Sequence, residues 1–102
     1  MSFVEIAKID EIPDGKIKGI KIDDNNILAT NIAGKYYAIG AKCTHAGGDL
    51  SKGKMDGNIV ICPRHGSKFD VITGKSVSGP AKQSVPIYQV KIQGKSILID
   101  IA

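Results

Sequence analysis

Two short segments hold every cysteine and every histidine of the chain: Cys43-Thr44-His45 and, after sixteen intervening residues, Cys62-Pro63-Arg64-His65. Thiolate and imidazole are the soft and borderline donors that iron and zinc select, so each segment offers one sulfur and one nitrogen to a metal. Turn-forming residues follow both, Ala46-Gly47-Gly48 after the first and Gly66-Ser67 after the second. Glycine suits such loops because backbone N–H groups must approach a bound metal group, and a Cβ would hold them away. On the residues alone three readings stay open. The cysteines are two small core hydrophobes or a disulfide, or half of a structural Cys2His2 zinc site, or ligands to iron. Scattered structural residues rarely fall into this register. A zinc finger usually sets its histidine pair on a helix, and no helix is predicted after Cys62.

The rest of the chain has to position these loops, and its pattern predicts strands. At 102 residues it is one domain, 1–102, with room for a modest core and none for a cleft between two domains. Pro13-Asp14-Gly15, Asp24-Asn25-Asn26, Ala33-Gly34, Asp56-Gly57, Thr73-Gly74, Gly79-Pro80 and Gln93-Gly94 punctuate it too closely for long helices. Between them lie runs rich in Ile, Val, Tyr and Thr: Phe3 to Ala7, Ile17 to Ile22, Ile27 to Ile32, Tyr36 to Ala41, Ile59 to Cys62 and Lys68 to Ile72. Near the C-terminus Tyr88, Val90 and Ile92 alternate with polar residues, and after Gly94-Lys95 so do Ile97, Ile99 and Ile101. That is a hairpin with one buried face. The fold class is all-β, a small antiparallel sandwich or barrel with the ligands on a subdomain formed by two loops, about 42–50 and 61–69.

With the ligand segments, Gly66-Ser67-Lys68-Phe69-Asp70, Thr73-Gly74-Lys75 and Gly79-Pro80-Ala81 complete a pattern that resembles the Rieske-type [2Fe–2S] ferredoxins over the whole chain. The resemblance implies one cluster, with Cys43 and Cys62 on the inner iron and His45 and His65 on the outer, more exposed one. Exchanging two thiolates for two neutral imidazoles removes negative charge. The potential thereby rises from about −400 mV for plant-type ferredoxins into the roughly −150 to +300 mV Rieske range. The high-potential branch of the family carries an extra cysteine in each loop, joined as a disulfide, where this chain has Gly48 and Arg64. It also has a tyrosine where this chain has Phe69, while Ser67 matches. Losing a donor to a ligand sulfur makes reduction harder, so the lower part of the range is implied. Lys82 stands where many relatives have a second proline in the loop that covers the cluster.

The implied function is a soluble one-electron carrier between a flavin reductase and an oxygenase or other redox acceptor. The alternatives are a subunit fixed in a larger oxidoreductase complex and a structural zinc module. A Rieske oxygenase needs a second iron on a two-His-one-carboxylate triad, and no histidine is left over, so the chain is not itself an enzyme. The net charge of +4 comes without a basic run or an aromatic stacking platform, which argues against nucleic acid. Lys42, Lys52, Lys54, Arg64 and Lys68 lie close in sequence to the ligands, with Asp49 and Asp56 as the acids among them, and predict a weakly basic docking face. Tyr36 and Tyr37 read as strand packing. No apolar run approaches a membrane span and Met1 to Lys8 is not a secretory signal, so a monomer in the cytoplasm is expected.

Overall fold

The computed structural model of the chain describes residues 2–44, 47–64, 66–79 and 81–101. Among these described residues there are eleven strands and two 3-10 turns. They are β1 (Phe3–Lys8), β2 (Ile17–Ile22), β3 (Asn25–Ile32), β4 (Lys35–Gly40), β5 (Lys54–Asp56), β6 (Ile59–Ile61), β7 (Lys68–Asp70), β8 (Ser76–Ser78), β9 (Ile87–Tyr88), β10 (Val90–Gln93) and β11 (Ser96–Asp100). Three sheets form, with orders β1-β11-β10, β2-β3-β4-β9 and β5-β6-β7-β8, and every pairing is antiparallel. Among the described residues no helix is long and apolar enough to cross a membrane.

The second sheet is the middle layer, and its longest strand shows why. Ile27, Leu28, Ala29 and Thr30 are all buried. Successive side chains of a strand point to opposite faces, so a run without alternation is covered on both. On one face Ile27 and Ala29 meet the first sheet through Ile99 and Ile97. On the other, Leu28 and Ile39 meet Leu50, Val60 and Phe69 of the loop-bearing half. The first two sheets form a base, and the third, made of three-residue strands, stands on it with the loops.

Local chemistry sets the turns. Ala33 and Gly34 both have positive φ, 52° and 89°, between Ile32 and its partner Lys35, the two-residue turn whose twist matches an antiparallel pair. Asp14 Oδ1 accepts from Ala33 N at 2.8 Å and Asn31 Oδ1 from Gly34 N at 2.8 Å, holding it closed.

Several expectations need correction. The turn expected at Asp24-Asn25-Asn26 is Asp23-Asp24, and both asparagines already pair in β3. The single strand expected through Tyr88, Val90 and Ile92 is split at Gln89. Ile87 and Tyr88 pair with β4, while Val90 to Gln93 pair with β11, so one alternating run serves two sheets. Ile92 is also 45% exposed rather than buried. Strands β5 and β8, with sequences KMD and SVS, are not among the expected strands because three residues are too few for alternation to be read as a pattern.

Candidate metal centre

The two cysteine segments fold into near copies of one loop. Lys42 bridges Asp49 across the neck of the first. Inside it Cys43 N donates to Gly48 O at 2.8 Å, and Gly47 N donates to Cys43 O at 2.9 Å. Ile61 pairs with Lys68 across the neck of the second. Cys62 N donates to Ser67 O at 2.7 Å, and Gly66 N donates to Cys62 O at 3.2 Å. In both, the cysteine donates to the carbonyl five residues on and accepts from the glycine four residues on. That glycine sits in the left-handed region, φ 69° at Gly47 and 74° at Gly66, where a side chain would be strained.

Cys43 and Cys62 are not joined in a disulfide, each is 2% exposed, and they belong to one apolar cluster with Leu28, Ile39, Leu50, Val60 and Phe69. The fold thus brings together the two sulfurs that sequence spacing singled out. His45 and His65 lie outside the described residues. A Cβ built on Gly48 would lie 3.0 Å from Cys62 Sγ and 3.3 Å from Arg64 Cγ and Cδ. Positions 48 and 64 therefore face each other across the loops. With glycine and arginine there no disulfide forms, and the flank of the Cys62 thiol is left clear.

A third segment closes over these loops. Gly79 has φ 89°, and a Cβ on it would come within 2.6 Å of Ser67 Cα, so the chain there packs directly on the second loop. Ala81 is buried, and its N–H donates to Ser67 Oγ at 3.1 Å. Ser76 Oγ donates to Ala81 O at 2.5 Å, and Thr44 Oγ1 to Gln83 O at 2.7 Å. Val85 N donates to Gly74 O at 2.8 Å. Lys82 remains exposed, and these bonds, rather than a second proline, tether the segment to both cysteine loops. Sequence reasoning missed Thr44 and Ser76. A lone hydroxyl whose partner is a distant carbonyl leaves no local pattern.

Ser67 is fully buried and accepts from Ala81, which leaves its own hydrogen to donate to another acceptor. Phe69 is fully buried and offers no donor. Tyr37 packs under the thiol-bearing core. Tyr36 packs on the opposite face of the middle sheet, where its hydroxyl donates to Ile9 O at 3.2 Å, so both tyrosines are strand packing as expected. The residues present suit a metal cluster: two buried, unbridged thiols on twin loops, a glycine where a Cβ would crowd one of them, and a buried hydroxyl with a hydrogen to give.

Residues 2–89 match the family model of the Rieske [2Fe-2S] domain. The ferredoxin component of a naphthalene 1,2-dioxygenase system from Pseudomonas aeruginosa is 31% identical over 100 residues, covering 98% of this chain and 96% of that protein. The biphenyl dioxygenase ferredoxin subunit of Pseudomonas sp. strain KKS102 is 33% identical over 103 residues, covering 100% and 94%. Among solved structures, the ferredoxin of carbazole 1,9a-dioxygenase from Nocardioides aromaticivorans IC177 superposes with a TM-score of 0.92 at 28% identity, covering 97% of each chain. A ferredoxin of Sphingomonas yanoikuyae B1 superposes with a TM-score of 0.93 at 25% identity, covering 99% and 100%.

Proposed function

The chain belongs to the Rieske [2Fe–2S] domain family, and on that premise we propose that it is a one-electron carrier of the cytoplasm, working as a monomer. Its single cluster is held by Cys43, His45, Cys62 and His65, on loops 42–50 and 61–69 of a domain that spans residues 1–102. It takes electrons from a flavin reductase and gives them to an oxygenase, the system to which its relatives are named as ferredoxin components. It is not itself an enzyme.

The observation that carries this reading is the pair of twin loops, each placing one buried cysteine, outside any disulfide, in the same apolar core. When bound, such a cluster supplies one-electron chemistry at a potential set by its mixed thiolate and imidazole ligands. The chain's own residues do the rest. Leu50, Phe69 and Ala81 wall the thiols off from water, which strengthens every electrostatic contact made there. The Ser67 hydroxyl, fixed by Ala81 N–H, has its hydrogen for a sulfur. Phe69 provides no second donor, which places the potential low in the family's range.

Metal and sulfide analysis of the purified protein, with a redox titration, tests this. The expected result is two irons and two labile sulfides per chain, with a midpoint below about 0 mV, toward the −150 mV end of the Rieske range. One zinc and no labile sulfide overturns the carrier reading. A midpoint well above about +150 mV overturns its placement in the family's low-potential branch.

A further inference from the structure

Charge is divided between the two halves of the molecule as unevenly as strand length is. Residues 42–85 carry seven of the fourteen Lys and Arg residues but three of the ten Asp and Glu residues. The remaining residues carry seven of each, so the whole formal excess of +4 sits in the loop-bearing half. All seven bases there are exposed. Two of its three acids are committed to backbone and side-chain donors of their own half. Asp49 Oδ1 accepts from Ser51 N at 3.0 Å and Ser51 Oγ at 2.6 Å, and Asp70 Oδ1 accepts from Ile72 N at 2.8 Å and Asn58 Nδ2 at 3.2 Å. In the neutral half Lys8 pairs with Glu5 and Lys18 with Glu11.

The sheet register concentrates this charge beside the second loop. Lys54 pairs with Ile61, and Ile61 with Lys68. Directly paired residues point to the same face, so the two lysines flank Ile61 in one row, with their strands about 10 Å apart, immediately before Cys62. Lys42 lies along the first loop, its Cε 3.4 Å from where a Gly47 Cβ would be. Arg64 is exposed on the second loop and Lys82 on the segment that closes over both. The one Phe, Tyr or Trp between residues 42 and 85, Phe69, is fully buried, so among the described residues this face offers no aromatic platform for stacking bases.

We propose that this face docks a redox protein whose complementary surface is acidic, with Lys54 and Lys68 as anchors on either side of Ile61; the proposal rests on the carrier reading above. A neutral base beneath a positive loop end makes the molecule electrically polar. An anionic partner therefore meets the loop end first, which raises the encounter rate and makes it sensitive to salt.

The test follows re-oxidation of the reduced holoprotein by stopped-flow absorption, each acceptor taking one electron from one protein. The probes are hexacyanoferrate(III) and the acidic protein plastocyanin against hexaammineruthenium(III) and the basic protein cytochrome c. As salt rises from about 20 to about 300 mM, rates to the two anionic acceptors fall by roughly tenfold and rates to the two cationic ones rise. The double variant Lys54→Glu/Lys68→Glu, which makes the loop-bearing half formally neutral, abolishes both trends, while Lys35→Glu/Lys95→Glu, in the neutral half, changes neither. Equal salt dependence for acceptors of either sign, or a double variant that behaves as wild type, overturns the docking proposal while the carrier reading stands. Binding to duplex DNA or to phosphatidylserine vesicles that persists at about 150 mM salt and is lost in the double variant assigns the face to a different polyanion and also overturns it. A chain that takes up no cluster ends both readings.

Discussion

In the base, β3 runs for eight residues and pairs along its length with β2 and β4, whereas no strand of the loop-bearing sheet exceeds three residues. The base buries Ile12, Ile27, Ile97 and Ile99 completely, each contributing about 1.5–3 kcal/mol by removal from water. The loop-bearing half has short ladders, loops closed by a few backbone hydrogen bonds, and a core that includes two thiols. Its thiols are poised for a ligand, and ligation energy is folding energy wherever the unfolded chain holds no preformed site. The contrast teaches that one end is a scaffold complete in itself while the other is finished by what it binds.

The largest effect expected from this contrast comes from removing the cluster, by chelation or by Cys43→Ser. Amides of residues 42–68 should then lose about 3 kcal/mol or more of hydrogen-exchange protection, while those of β3 and β11 stay within about 1 kcal/mol of the holoprotein. Equal loss at both ends erases the distinction. A cavity in the base should do the converse. Ile97→Ala should cost about 2–5 kcal/mol in denaturant unfolding yet leave the cluster's absorption spectrum and midpoint unchanged, since Ile97 packs on the far face of the middle sheet from the thiols. A shifted midpoint in that variant shows the two ends to be coupled.

The smallest effect is in acid. A hydrogen bond from Ser96 and the ammonium of Lys8 hold the Glu5 carboxyl below its usual value. The backbone N–H of Lys8, with Lys18, does the same for Glu11. A carboxylate with a depressed folded pKa stabilises the fold above its unfolded pKa, near 4.5, and that contribution disappears as pH falls through the lower folded value. Both groups lie on the exposed surface of the base, so the slope is slight. Unfolding titrations between about pH 5 and pH 2 on Glu5→Gln/Glu11→Gln should show it flattened for the base. An unaltered slope removes these carboxylates from the acid response.

How much of this was legible in the sequence depended on whether the signal was local. Cys43, His45, Cys62 and His65 stood out because metal chemistry restricts both residue type and spacing. The runs at Phe3 and Ile17 and the hairpin around Gly94-Lys95 stood out because alternation and turn residues act within a few positions. The strands β5 and β8 gave no such signal, since three residues are too few to show a period and take their conformation from the strands beside them. The run from Ile87 to Gln93 looked like one strand because its alternation is continuous, and only the positions of β4 and β11 divide it. Thr44 and Ser76 are single hydroxyls whose partners lie further along the chain, whereas Ser67 stood out through the loop motif it belongs to. The same holds for charge. The sequence by itself determined how many basic residues there are and that several stand near the cysteines. Only the tertiary structure set Lys54 and Lys68 on one face with Ile61 between them, because sheet register is fixed by burial across strands and not by neighbours along the chain.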